Sequence, residues 1–104
     1  MTIRALKMKL KPGCAAEYQR RHDELWPELA ELLRQSGISD YSIFLDEVTL
    51  TLFAVHKLAD HHALADLPKH PLMRRWWESM APLMETNPDH SPREVALKPV
   101  FYLP

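Results

Sequence analysis

The chain predicts an α+β fold of the ferredoxin-like kind, β-α-β-β-α-β, whose antiparallel sheet carries both helices on one face. Three observations carry that expectation. A short alternating segment opens the chain, an amphipathic stretch of helical period follows it, and YSIFLDEVTLTLFAVHKL at 41–58 has two apolar arms divided by Asp46-Glu47. A length of 104 residues has room for one domain, residues 1–104.

Each element has its own local reason. In Thr2–Leu10, Leu6, Met8 and Leu10 share one side while Ile3 and Ala5 share the other, and Lys11-Pro12-Gly13 ends the run. The spacing then predicts one helix from Cys14 to Gln35, stopped at Ser36-Gly37 with glycine beyond the cap. The β-branched and aromatic content of 41–58 predicts a hairpin, although its turn contains no glycine. Residues 60–86 read as helical but cut short by Pro68, Pro71 and Pro82. TNPDHSP at 86–92 reads as a loop, and REVALKPVFYLP as a last strand at an edge or bent at Pro99.

All four strands are apolar-rich, yet only two helical segments are present to cover them. A homodimer closed face to face over the uncovered side follows, a dimeric α/β barrel. Thirteen basic and 14 acidic residues leave a net charge of −1, which argues against a nucleic-acid partner. No apolar run is long enough to span a bilayer, and MTIRALKMKLKP lacks the apolar core of a secretory signal. Cys14 is the only cysteine. A lone thiol and the missing signal together place the chain in the cytoplasm as an expectation.

The chemistry centres on AEYQRRHDELWP at 16–27. Tyr18, His22 and Trp26 recur at i, i+4 and i+8 within the apolar arc of the first helix. Read as a core residue, His22 is bonded to a neighbour. Read as a catalyst, it is the side chain best matched to proton transfer near neutrality. Pro27 would kink the helix one turn later and open space along that line. Trp76-Trp77 cannot both lie on a narrow helical stripe, so one indole is expected in the core and the other in a cavity or interface. Tyr41 shares a strand face with Ile43 and Leu45, its phenol pointing either to solvent or into a pocket. Arg20-Arg21 and Arg74-Arg75 read as solvated helix faces.

No cofactor or metal is expected. The six histidines lack the spacing of a helical metal site, and no HExxH, cysteine pair, P-loop, GxGxxG or GxSxG is present.

Five stretches together resemble the L-rhamnose mutarotase family: EYQRRHDELWPEL at 17–29, YSIFLD at 41–46, RWWESM at 75–80, NPDHSP at 87–92 and VFYLP at 100–104. The resemblance implies a ferredoxin-like homodimer that interconverts the α and β anomers of L-rhamnose in the cytoplasm without a cofactor. It implies that His22 is a proton donor and that Tyr18, Tyr41 and the Trp76-Trp77 pair contact the sugar. Differences from the family fall in segments such as HKLADHHALADLPKHP at 56–71. Two other readings remain open on the residues alone: a cofactor-free monooxygenase on the same scaffold, and a dimeric module that binds a sugar without turning it over.

Overall fold

The computed structural model describes residues 1–104. Its strands are β1 (Thr2–Lys9), β2 (Ile38–Asp46), β3 (Thr51–Leu58) and β4 (Val95–Ala96), and its helices are α1 (Ala15–Asp23), α2 (Pro27–Gln35) and α3 (Pro71–Met80). The sheet order is β2-β3-β1-β4, with every pairing antiparallel. Alternation along β1 and β3 sorts the side chains. Leu6, Met8, Leu52, Ala54, His56 and Leu58 are buried on one face, while Ile3 and Phe53 on the other remain exposed. Leu10, Leu29 and Leu52 are the most completely buried large side chains, so the core lies between the sheet and the helices.

The single first helix expected from Cys14 to Gln35 is two helices. Proline has no N–H to give the Asp23 carbonyl, and its ring disfavours a helical conformation in the residue before it. Trp26 accordingly takes an extended conformation (φ −57°, ψ 125°) and caps α2, with Pro27 in the first turn. This is a break and not a kink. Trp26 therefore leaves the line that its i+8 spacing shared with Tyr18 and His22.

The glycine-free hairpin turn works through a side chain. The Asp46 carboxylate accepts from the Val48 N–H at 3.0 Å and the Thr49 N–H at 3.4 Å, and Leu50 takes the positive φ (61°) that glycine would have supplied. The last strand is shorter than expected. Only Val95 and Ala96 pair, with Lys7 and Leu6, and Val100–Leu103 stand exposed beyond Pro99, which cannot donate to a ladder. Of the three prolines of 60–86, Pro71 opens α3 and Pro82 lies in the 3-10 turn Ala81–Leu83 that follows it, whereas Pro68 sits inside the 3-10 turn Leu64–Lys69 without dividing it.

Gly37 ends α2 at φ +95°, and a Cβ there would meet the His62 Cβ at 2.9 Å. Gly13 has φ +80° but open space around it. Gly37→Ala should therefore lower unfolding free energy by roughly 1–3 kcal/mol, and by more than Gly13→Ala, when both are measured by urea denaturation.

Candidate active site

A cleft of about 920 Å³ opens over the helix-facing side of the sheet, between α1, α3 and edge strand β2. All five residues singled out in the sequence, Tyr18, His22, Tyr41, Trp76 and Trp77, line it. Leu10, Leu29 and Leu52 form part of its apolar base. That volume lies at the upper end of the range for small-molecule sites and has ample room for a monosaccharide.

His22 lies in the last turn of α1. Its Nδ1 is 2.9 Å from the Tyr18 carbonyl oxygen, one helical turn back. A carbonyl only accepts, so Nδ1 carries the proton and the neutral ring keeps its lone pair on Nε2. The Tyr18 ring lies 4.3 Å away, and Trp76 meets the imidazole edge-on at 5.4 Å. Burial holds His22 below its ordinary pKa of 6.5, against the opposing pulls of the Tyr18 carbonyl and the Asp23 carboxylate. The resting group at neutral pH is thus a base.

The phenols are kept protonated. Burial, with the neighbouring Tyr41 adding to it, raises Tyr18 far above the ordinary range. Tyr41 is pushed up to about 12, by burial first and then by the Glu94 carboxylate, with Arg4 opposing. Although 43% of the Tyr41 surface stays open, which weakens the burial effect, a phenol at this position is a donor at neutrality whatever the size of the shift.

Tyr41 reaches the cleft through a bulge. Ser39 pairs with Lys57 and Ser42 with Val55, so Asp40 and Tyr41 together oppose His56, and Asp40 takes φ 47°. The Tyr41 ring stacks on His56 at 5.1 Å and 19°. Tyr41 shares the cleft with Ile43 and Leu45, so its pocket-facing alternative is the one observed.

Trp76 combines the two roles that the sequence divided between the indoles: it is 8% exposed, in the core, and a wall of the cleft. Trp77 is half-buried and also lines it. Trp26 packs edge-on against Trp76 at 5.2 Å but does not line the cleft. Gln19, Asp23 and Glu47 supply further polar lining that the sequence reading missed. Gln19 lies one turn before His22, a spacing that marks it, whereas Glu47 arrives from the hairpin turn with no local signal. No three His, Cys, Asp or Glu side chains converge as a metal site would require.

The L-rhamnose mutarotase family model matches residues 4–103. The chain belongs to the L-rhamnose mutarotase family. It is 57% identical over 100 residues to the L-rhamnose mutarotase of Brucella anthropi, covering 96% of this chain and 94% of that protein. It is 58% identical over 99 residues to that of Mesorhizobium japonicum, covering 95% and 94%. The crystal structure of an L-rhamnose mutarotase from Formosa agariphila superposes with a TM-score of 0.94 at 45% identity, covering 100% of both chains. A Mycobacterium tuberculosis protein superposes at 0.60 with 11% identity, covering 96% of this chain and 95% of its own, and shares the fold alone.

The tautomer has a direct readout. Nitrogen-15 NMR of the histidine side chains should show one neutral ring protonated at Nδ1 that titrates below 6.5 and is absent from His22→Gln. A ring protonated at Nε2 would reverse the assignment of base and donor atoms.

Proposed function

We propose that this single domain is an L-rhamnose mutarotase, interconverting the α and β anomers of L-rhamnose, with His22 as the group that moves the proton. The observation that carries the assignment of His22 is its geometry: an imidazole tied through Nδ1 to the Tyr18 carbonyl, with Nε2 left to work in an apolar cleft. Family membership supplies the reaction. The monooxygenase and the inert binding module have no observation in their favour.

Ring opening removes the proton of the anomeric hydroxyl, breaks the bond from C1 to the ring oxygen and puts a proton on that oxygen. Both oxygens are attached to C1, so one imidazole can serve both. Neutral Nε2 takes the anomeric proton, and the resulting imidazolium delivers it to the ring oxygen as the C1–O bond breaks. The aldehyde turns about C1–C2, and the same steps run backwards close the ring on its other face. No net charge is left in the cleft, which suits its apolar lining. This shuttle makes His22 the proton donor in one half of the cycle. Tyr18 and Tyr41 donate hydrogen bonds that orient sugar oxygens. Trp76 and Trp77 offer broad apolar faces to the C–H side of the ring or its C6 methyl.

The working form is a homodimer in this reading. The sheet face away from the helices exposes Ile3, Phe44, Phe53 and Val95, and the apolar Val100–Leu103 tail lies exposed as well. A second copy laid on that face would close a dimeric α/β barrel. No helix is long and apolar enough to cross a membrane. Sedimentation at micromolar concentration should give a dimer, and Phe53→Asp should give a monomer. A monodisperse wild-type monomer would refute the dimer.

His22→Ala should lower the exchange rate by about 10²–10⁴-fold while the protein stays folded, measured by saturation-transfer NMR on equilibrated L-rhamnose. The pH profile carries the sign of the mechanism. Because the base must be neutral and its pKa is depressed, exchange should hold near neutrality and fall as pH drops below 6.5 through the folded pKa. Folding also loses stability over the same window, since the unfolded chain takes the proton more readily. Unfolding must therefore be followed on the same samples. A rate that rises on acidification in folded protein would mean that the imidazolium is the resting catalyst.

A further inference from the structure

Trp76 is the partition between two spaces. On one side lies the cleft with His22. On the other is a hollow of about 370 Å³ lined in part by Arg21, Trp26 and Ser79. The adjacent arginines of α1, read from the sequence as one solvated pair, part company here. Arg20 stays on the helix surface, paired with Glu17 and Glu24. Arg21 is more enclosed, with 31% of its side chain exposed; its Nε lies 3.7 Å from the Glu17 carboxylate that Arg20 also meets, but its Nη1 crosses to donate to the Ser79 carbonyl in the last turn of α3. This is the single hydrogen bond joining α1 to α3. A cation suits a helix C-terminus, where carbonyls lack intrahelical partners and the negative end of the dipole collects.

The bond stands one residue from His22 at its start and three from Trp76 at its end. Ser79 Oγ donates to the Trp76 carbonyl at 2.7 Å, fastening the receiving turn to the residue that carries the indole. The indole edge then meets the imidazole at 5.4 Å. Without Arg21, α1 and α3 would meet through apolar and aromatic-edge contacts with no hydrogen bond between them, which sets distance and direction more loosely.

We propose that Arg21 is a positioning residue of the reaction: anchored on the Ser79 carbonyl, it holds Trp76 against His22 and so fixes the imidazole over the sugar. The proposal rests on the reading of His22 and Trp76 given above.

Arg21→Met keeps the alkyl stem and removes the donors, whereas Arg21→Lys keeps a charge and a less directed donor. Arg21→Met should lower saturation-transfer exchange by roughly 10- to 100-fold, the usual effect of misplacing a catalytic group by about an ångström. Arg21→Lys should recover part of the loss. Near-ultraviolet circular dichroism should change in Arg21→Met, because the Trp26–Trp76 pair, edge-on at 5.2 Å, would reorient. In a Trp76→Leu background, Arg21→Met should cost little more. Near-normal exchange per folded protein with only a lowered unfolding midpoint would reduce Arg21 to a stabilising contact and overturn the proposal. An equal loss with and without the Trp76 indole would overturn it too. If Arg21→Met does not fold, Arg21→Lys carries the same measurements. His22→Ala separates the two levels: normal exchange there removes the site reading and this proposal together, while a lost exchange beside a normal Arg21→Met removes this proposal alone.

Discussion

One missing N–H organises the first third of the molecule. Pro27 cannot donate to the Asp23 carbonyl and its ring holds Trp26 extended, so the helix breaks between Asp23 and Pro27 and His22 falls in the final turn of α1. A continuous helix would have carried Trp26 down the same stripe and into the cleft. The break turns Trp26 behind Trp76 instead, where it backs the wall without occupying the space. The chain uses the same residue to begin α2, because proline at the first helical position loses nothing. A helix stop, a helix start and the cleft beside His22 thus follow from one side chain.

The cleft is tuned toward neutral species. Burial depresses the imidazole and raises both phenols, so each group resists the form that carries charge. A neutral sugar enters such a space without an ion having to be desolvated. His56 extends the pattern behind Tyr41. It is 3% exposed, both ring nitrogens lack a protein hydrogen-bond partner, and burial and then Arg4 depress its pKa. Its visible role is the stacked surface it offers Tyr41.

Much of this was readable along the chain, because the signals were local. The strand alternation, the glycine beyond α2 and the interrupting prolines each report a backbone constraint settled by neighbouring residues. The five cleft residues were legible as residue types in unusual company: a histidine in an apolar arc, a doubled tryptophan, a tyrosine on an apolar strand. The family resemblance supplied roles that spacing alone left open. Less legible was anything that depended on a partner far along the chain. Arg20 and Arg21 are indistinguishable as letters and both meet Glu17, yet only Arg21 also crosses to Ser79, 58 positions away. The two-residue β4 shows the same limit, since alternation in the tail could not reveal that Pro99 would halt its pairing.

The sequence by itself determined the order of the strands and of the helical segments between them, the break at Pro27 apart, together with the sorting of the sheet into an apolar side facing helices and an opposite side, and the candidate histidine. These depend on periodicity and on the fixed stereochemistry of proline and glycine, which act over a few residues. Only the tertiary structure decided that Trp76 is both core and wall, that the β2 bulge sets Tyr41 over His56, and that the His22 proton sits on Nδ1. Each of those is a distance between atoms brought together by folding. The imidazole shows the division most plainly: its residue type permits either tautomer, and the Tyr18 carbonyl at 2.9 Å selects one.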